Sequence, residues 1–186
     1  MDGDQYYPLH YASYYGRPKM VKFMLRHGAN PYVKSASGLS MLHVAAQNRD
    51  TVWSLCYFRS KGISINCRDN NGCTPMHWAC YTANDIAIYY LNSWSCNVNL
   101  QDQNGYTPLH MVVFASESFD EDHTEKAIRY RAVRELLIKG ADRDIRDNYG
   151  KRAYDYACEM PDEERRKKHQ LYLDKVPFYL PCCHVR

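Results

Sequence analysis

The 186-residue sequence has no run of about 18 consecutive apolar residues, the length a helix needs to cross a bilayer, so no insertion into a membrane by this chain is expected. Its start, Met1-Asp2-Gly3-Asp4-Gln5, lacks the basic and apolar regions of a secretory signal. Surplus charge is small: 24 Lys and Arg against 21 Asp and Glu leave +3, too little to argue for nucleic acid by electrostatics. Cysteine is sparse for a disulfide scaffold, at 8 residues, and reduced thiols in a cytoplasmic setting are expected. Glycine-rich phosphate loops, nucleophile elbows and paired-carboxylate motifs are missing, so the expectation is a non-enzyme without a cofactor. What is plentiful is apolar and aromatic: 45% hydrophobic and 13% aromatic residues, 17 of them Tyr, which excludes a disordered chain.

Internal periodicity organises the chain. Tyr7-Pro8-Leu9-His10, Ser40-Met41-Leu42-His43, Thr74-Pro75-Met76-His77 and Thr107-Pro108-Leu109-His110 align, and their histidines recur with a period of about 33 residues. A degraded fifth copy, Arg152-Ala153-Tyr154-Asp155, puts Asp155 at the histidine position, later than the period by the length of an insertion. A second landmark follows each histidine at a nearly constant interval: Gly28-Ala29-Asn30, Gly62-Ile63-Ser64 and Ser95-Cys96-Asn97. Gly140-Ala141-Asp142 follows His110 at a longer interval, so the insertion lies between the two landmarks. The third landmark is Asp-x-x-Gly at Asp69 to Gly72, Asp102 to Gly105 and Asp147 to Gly150, weakened at Ser35 to Gly38.

Each landmark has a physical reading. Thr74 and Thr107 suit a helix N-cap, and the following Pro suits the first helical position, where its missing donor costs nothing. Glycine after a second helix supplies the left-handed residue that ends it, and Asp-x-x-Gly is turn chemistry. Apolar spacing marks second helices at Val21, Met24 and Leu25, at Ile86, Tyr89, Tyr90 and Leu91, and at Val133, Leu136 and Leu137. These landmarks resemble the ankyrin repeat over about residues 5–173. The resemblance implies an all-α solenoid of about five helix-turn-helix repeats joined by β-hairpin-like loops. The copies fall near 5–34, 35–68, 69–101, 102–146 and 147–175, with an insertion near 116–127 and a tail at 176–186.

The repeat register accounts for His10, His43, His77 and His110 as structural residues. Stacked copies lie roughly 10 Å apart, too far for a shared metal ion with bonds to nitrogen of about 2.1 Å. Cysteines form no Cys-x-x-Cys pair, so no metal site is expected, and Cys182-Cys183-His184 remains open to lipidation or metal binding in a longer protein. Residues 116–125 carry five carboxylates and read as a solvated loop, an acidic contact for a basic partner or a Ca²⁺ site too irregular for an EF-hand, and Glu163 to His169 as the polar face of a capping helix. The apolar stretch Val176 to Cys183 reads as a cap over the last repeat or the start of a membrane-proximal segment.

Resemblance to ankyrin arrays further implies a partner surface on the hairpin tips and the inner face of the first helices. By register this surface holds Tyr14, Tyr15, Asn48, Asn71, Trp78, Tyr81, Tyr106, Phe114 and Tyr149. Tyrosine offers contact area at low entropy cost and a hydroxyl for peptide groups, so the tyrosine excess reads as a binding surface. Trp78 and, on the inner face of the preceding copy, Asn48 suggest a pocket for an extended peptide containing Pro, with packing between copies as the alternative role of Trp78. With the spacing from His43 to His77, one position longer than its neighbours, they resemble the ankyrin domain of Asp-His-His-Cys palmitoyltransferases, where such a Trp and Asn help recruit substrate proteins. The expected function is non-catalytic binding of a protein or extended peptide by a monomer, or substrate recruitment for a membrane acyltransferase.

Overall fold

The computed structural model describes residues 6–115 and 123–159, with residues 163, 166, 167, 170, 171 and 173 beyond them. Among the described residues the secondary structure is helical, with no strand. The helices are α1 Pro8–Tyr14, α2 Pro18–Arg26, α3 Met41–Ala46, α4 Val52–Ser60, α5 Pro75–Tyr81, α6 Asp85–Ser93, α7 Pro108–Ala115, α8 His123–Ile138 and α9 Ala153–Glu159. A short 3-10 turn, Arg49–Thr51, leads into α4. First helices pack on first helices along α1, α3, α5, α7 and α9, while α4, α6 and α8 form the second row. Of the first helices, α1, α3, α5 and α7 each also pack on the second helix that follows.

The core lies between the two rows. Leu42, Ala45, Met76, Ala79, Leu109 and Val112 enter from the first row, and Leu55, Phe58, Ile88, Leu91, Val133 and Leu136 from the second. Small Ala residues in the first row let neighbouring helices approach closely, while the larger side chains fill the gap to the second row. At the N-terminal end the second row is thin: α2 buries only Val21, leaves Met24 and Leu25 half-buried, and exposes Met20 and Phe23.

The apolar stripe that marks α6 is corrected in part: Leu91 is buried and Tyr90 half-buried against the core, and the other two positions are not. Ile86 and Tyr89 are exposed, and Ala87, Ile88, Leu91 and Asn92 are buried. Both sets obey helical spacing, and contact with α5 and α8 selects the second. The insertion is corrected as well. α8 runs 16 residues against nine in α2, α4 and α6, so part of the extra chain lengthens a helix instead of forming a loop. Residues 116–122, most of the 163–169 face, and the 176–186 tail with Cys182-Cys183 lie outside the described residues.

Tight turns open the second to fifth copies and are stitched together by main chain. Asn70 N–H donates to the Ser37 carbonyl, Gln103 N–H to that of Asn71 and Asn148 N–H to that of Asn104, each at 2.9 Å. At Gly105, φ is +82° and an added Cβ would stand 2.7 Å from the Asn148 nitrogen. Only glycine tolerates both the left-handed backbone and that approach. At the third second-helix terminus Ser95, φ +58°, takes the place that Gly28, Gly62 and Gly140 hold elsewhere.

Candidate functional site

The histidine of each copy is the third residue of its helix, and its surroundings repeat. Nδ1 accepts the backbone N–H of the residue before the helix: Tyr7 at 3.1 Å, Ser40 at 3.0 Å, Thr74 at 3.1 Å and Thr107 at 3.2 Å. In the last three copies the Ser or Thr hydroxyl meets the same nitrogen at 2.9, 2.8 and 2.8 Å. A nitrogen that accepts a backbone N–H carries no proton, so the ring proton sits on Nε2. Nε2 donates to the next copy, at the carbonyls of Leu39, Cys73, Tyr106 and Lys151, at 3.1, 3.0, 3.0 and 3.3 Å. Burial lowers the pKa of all four imidazoles, that of His43 to about 4. The four rings are therefore neutral ties between copies.

A second polar row lies in the turns. Asp69 Oδ1 accepts the backbone N–H groups of Asn71 and Cys73, Asp102 Oδ1 those of Asn104 and Tyr106, and Asp147 Oδ1 those of Tyr149 and Lys151, all at 2.8–2.9 Å. The other oxygen looks toward the residue just after the histidine position. Trp78 Nε1–H donates to Asp69 Oδ2 at 2.9 Å, and the Tyr156 hydroxyl to Asp147 Oδ2 at 2.6 Å. At the middle copy that residue is Met111, which has no donor. Asp102 Oδ2 has instead the Cys73 thiol at 3.7 Å. Burial and the Asp69 and Asp102 carboxylates push the Cys73 thiol up to about 12, so it stays protonated.

Between the turns and first helices of the third and fourth copies lies a cleft of about 700 Å³. Its walls include Asn71, Trp78, Tyr81, Tyr106 and Phe114, five of the residues that sequence register assigned to the partner surface, with Asp102, Met111 and Asn104. Tyr81 meets Trp78 edge-on at 6.3 Å, and Tyr106 meets Phe114 edge-on at 4.7 Å. Phe114 rests on Tyr156, 4.4 Å between centroids, so the wall is backed by a second aromatic layer. Tyr149 stands 6.5 Å from Tyr106 at the rim and is 71% exposed.

Other assigned residues fall elsewhere. Tyr14 and Tyr15 line a separate hollow of about 240 Å³ with Tyr6, Tyr11, Val44 and Gln47. Asn48 does not line the aromatic cleft. Its Nδ2–H donates to the Tyr14 carbonyl at 3.0 Å and its Oδ1 accepts the Asp50 N–H at 3.1 Å, so its amide ties two copies and caps the 3-10 turn. Asp102, Met111 and Tyr156 escaped the sequence reading. Comparing the residue after each histidine position (Tyr11, Val44, Trp78, Met111, Tyr156) would have exposed the alternation of donor and non-donor.

The pattern for ankyrin repeats in three copies matches residues 1–69 and 42–121, and the single ankyrin repeat matches residues 104–148. The chain belongs to the ankyrin-repeat family. As an ankyrin array it is a protein–protein interaction module. Palmitoyltransferase AKR1 of Lachancea kluyveri is 32% identical over 84 residues, which is 44% of this chain and 11% of that protein. Human transient receptor potential cation channel subfamily A member 1 is 32% identical over 84 residues, 45% of this chain and 8% of the channel. Human Inversin is 31% identical over 90 residues, 46% of this chain and 8% of Inversin. The ankyrin array thus spans about a tenth or less of the length of these relatives. Among the described residues no helix is long and apolar enough to cross a membrane, and no His, Cys, Asp and Glu group could hold a metal ion.

Proposed function

We propose that this ankyrin array binds a protein or an extended peptide in the cleft formed by Trp78, Tyr81, Tyr106 and Phe114, with Asn71 and Tyr149 at its edge. The observation that carries the reading is the convergence of aromatic side chains from two copies on one open cleft beside the turns. Aromatic anchors of this kind dominate binding energy at protein interfaces, and a chain running along the cleft would cross the turn tips. Trp78 is half-buried against the core with its ring nitrogen committed to Asp69, so it contributes ring surface rather than its N–H.

Tyr81 and Tyr149 are the residues to test, because both are exposed. Proteins retained from extract by the immobilised chain would be compared by mass spectrometry with those retained by a Tyr81→Ala/Tyr149→Ala double variant. The expected result is loss of specific partners, on the order of 30-fold in affinity, with thermal melting close to that of the wild type. Retention unchanged by the double substitution would sink the assignment. A second reading, recruitment of substrates for a membrane acyltransferase, draws support from the match to palmitoyltransferase AKR1. It requires that the parent reading frame continue past Arg186 into apolar segments of about 20 residues, which transcript sequencing decides.

A further inference from the structure

Asp102 is the anomalous member of the aspartate row, and it lines the aromatic cleft. The residue is 9% exposed, and Oδ1 is fully engaged by the Asn104 and Tyr106 N–H groups at 2.8 Å. Oδ2 meets, among the described residues, only the Cys73 thiol at 3.7 Å, a weak donor. Its counterparts Asp69 and Asp147 each hold a strong donor there, at 2.9 and 2.6 Å. A carboxylate oxygen that the fold leaves without a strong donor, in the lining of a cleft, is available to a donor that a partner brings.

The surroundings say what kind of donor fits. The lining of the cleft includes no Lys or Arg, and its histidine, His77, is held neutral by burial. Arg68, close enough to influence Cys73 and His77, directs Nη1 to the Gly72 and Gln101 carbonyls at 3.1 and 2.6 Å. No ion pair reaches Asp102 among the described residues. The same cleft is lined by Trp78, Tyr81, Tyr106 and Phe114, whose ring faces attract cations, and by Met111, an apolar bed for an aliphatic stem. Trp78 supplies no competing donor, since its N–H points at Asp69.

From this arrangement we infer that the cleft selects a partner segment carrying a basic side chain, Arg or Lys, whose cationic head bonds Asp102 Oδ2 while its stem lies between Met111 and the aromatic rings. The inference rests on the binding reading above and adds to it the chemistry of the anchor. The middle aspartate is thereby the partner-facing one, and the two flanking aspartates are closed by the protein itself.

The test uses a displayed library of random twelve-residue peptides panned on the wild-type chain, with selected peptides then titrated against Asp102→Asn, Tyr81→Ala and Phe114→Ala. Asparagine keeps an oxygen for the Asn104 and Tyr106 N–H groups, so the turn survives, and melting of each variant checks the fold. The expected peptides carry a conserved Arg or Lys, lose about tenfold or more in affinity on Asp102→Asn, and lose as much when that residue is changed to citrulline or norleucine. Peptides that need Tyr81 and Phe114 but lack a basic residue and ignore Asp102→Asn would overturn the inference and leave the binding reading standing. Peptides indifferent to Tyr81 and Phe114, or no selected peptides at all, would count against both.

Discussion

The histidine row runs through the first four copies and the aspartate row through the last three, and in their tie to the next copy's main chain only the histidines are uniform. Each histidine makes its repeat-to-repeat and capping bonds to main chain, which every copy supplies whatever its side chains are. Each aspartate gives one oxygen to main chain and offers the other to the side chain after the histidine position. That side chain is Trp78, Met111 or Tyr156, and the aspartate's environment changes with it. Polar groups anchored on main chain are held constant by the fold, and those anchored on a neighbouring side chain are where one copy can depart from the next.

The comparison breaks first at the histidines if they are not equivalent ties. His77→Ala leaves the Thr74 N–H and the Tyr106 carbonyl without their buried partner and opens a cavity. We expect a loss of about 3 kcal/mol, read as a fall in Tm of about 10 °C by circular dichroism. A loss below about 1 kcal/mol would mean that water replaces these bonds and that the row is not a structural tie. The same row sets an acid limit. Because the folded state lowers the pKa of all four rings, the unfolded chain takes up protons first as the pH drops below about 6.5. This contribution to stability is complete above the unfolded value and is lost as the pH falls toward about 4, the value for His43. Urea midpoints measured from pH 7 to 4.5 should fall steadily, and less steeply in His77→Ala.

The aspartate row gives the next effect. Tyr156→Phe removes only the hydroxyl that donates to Asp147 at 2.6 Å. The expected cost is about 1–2 kcal/mol, measured by chemical denaturation, whereas Met111→Leu, where Asp102 has no such donor, should cost under about 1 kcal/mol. Equal losses at the two positions would erase the distinction between closed and open aspartates.

How much of this was legible beforehand depends on whether a property repeats. The helix pairs, the histidine ties and the left-handed glycines recur at fixed spacing, and the aligned Thr-Pro-Leu-His and Asp-x-x-Gly copies display them. The hidden features are those that set one copy apart. The buried face of α6 depends on which of two helical stripes meets α5 and α8. Asn48 occupies an inner-face register position, and the bonds of its amide to Tyr14 and Asp50 are invisible in the spacing. Asp102 looked like its siblings because the difference resides in Met111, on the helix that follows its turn.

The smallest effect on stability is also the sharpest probe of the comparison. Met111→Tyr places at the middle copy the hydroxyl that Tyr156 provides for Asp147, on the same helix position and above the same kind of carboxylate. If the row is governed by that one side chain, the new hydroxyl closes Asp102 and stability changes by less than about 1 kcal/mol, in the favourable direction. Binding of Arg- or Lys-bearing peptides should fall instead, because the donor site is occupied and the aliphatic stem loses its bed. In that background a further Asp102→Asn should have little effect on peptide affinity, whereas in the wild type it should weaken binding about tenfold. If the two substitutions act independently, Met111 and Asp102 do not share one anchor, and the middle copy differs from its neighbours without that difference serving recognition.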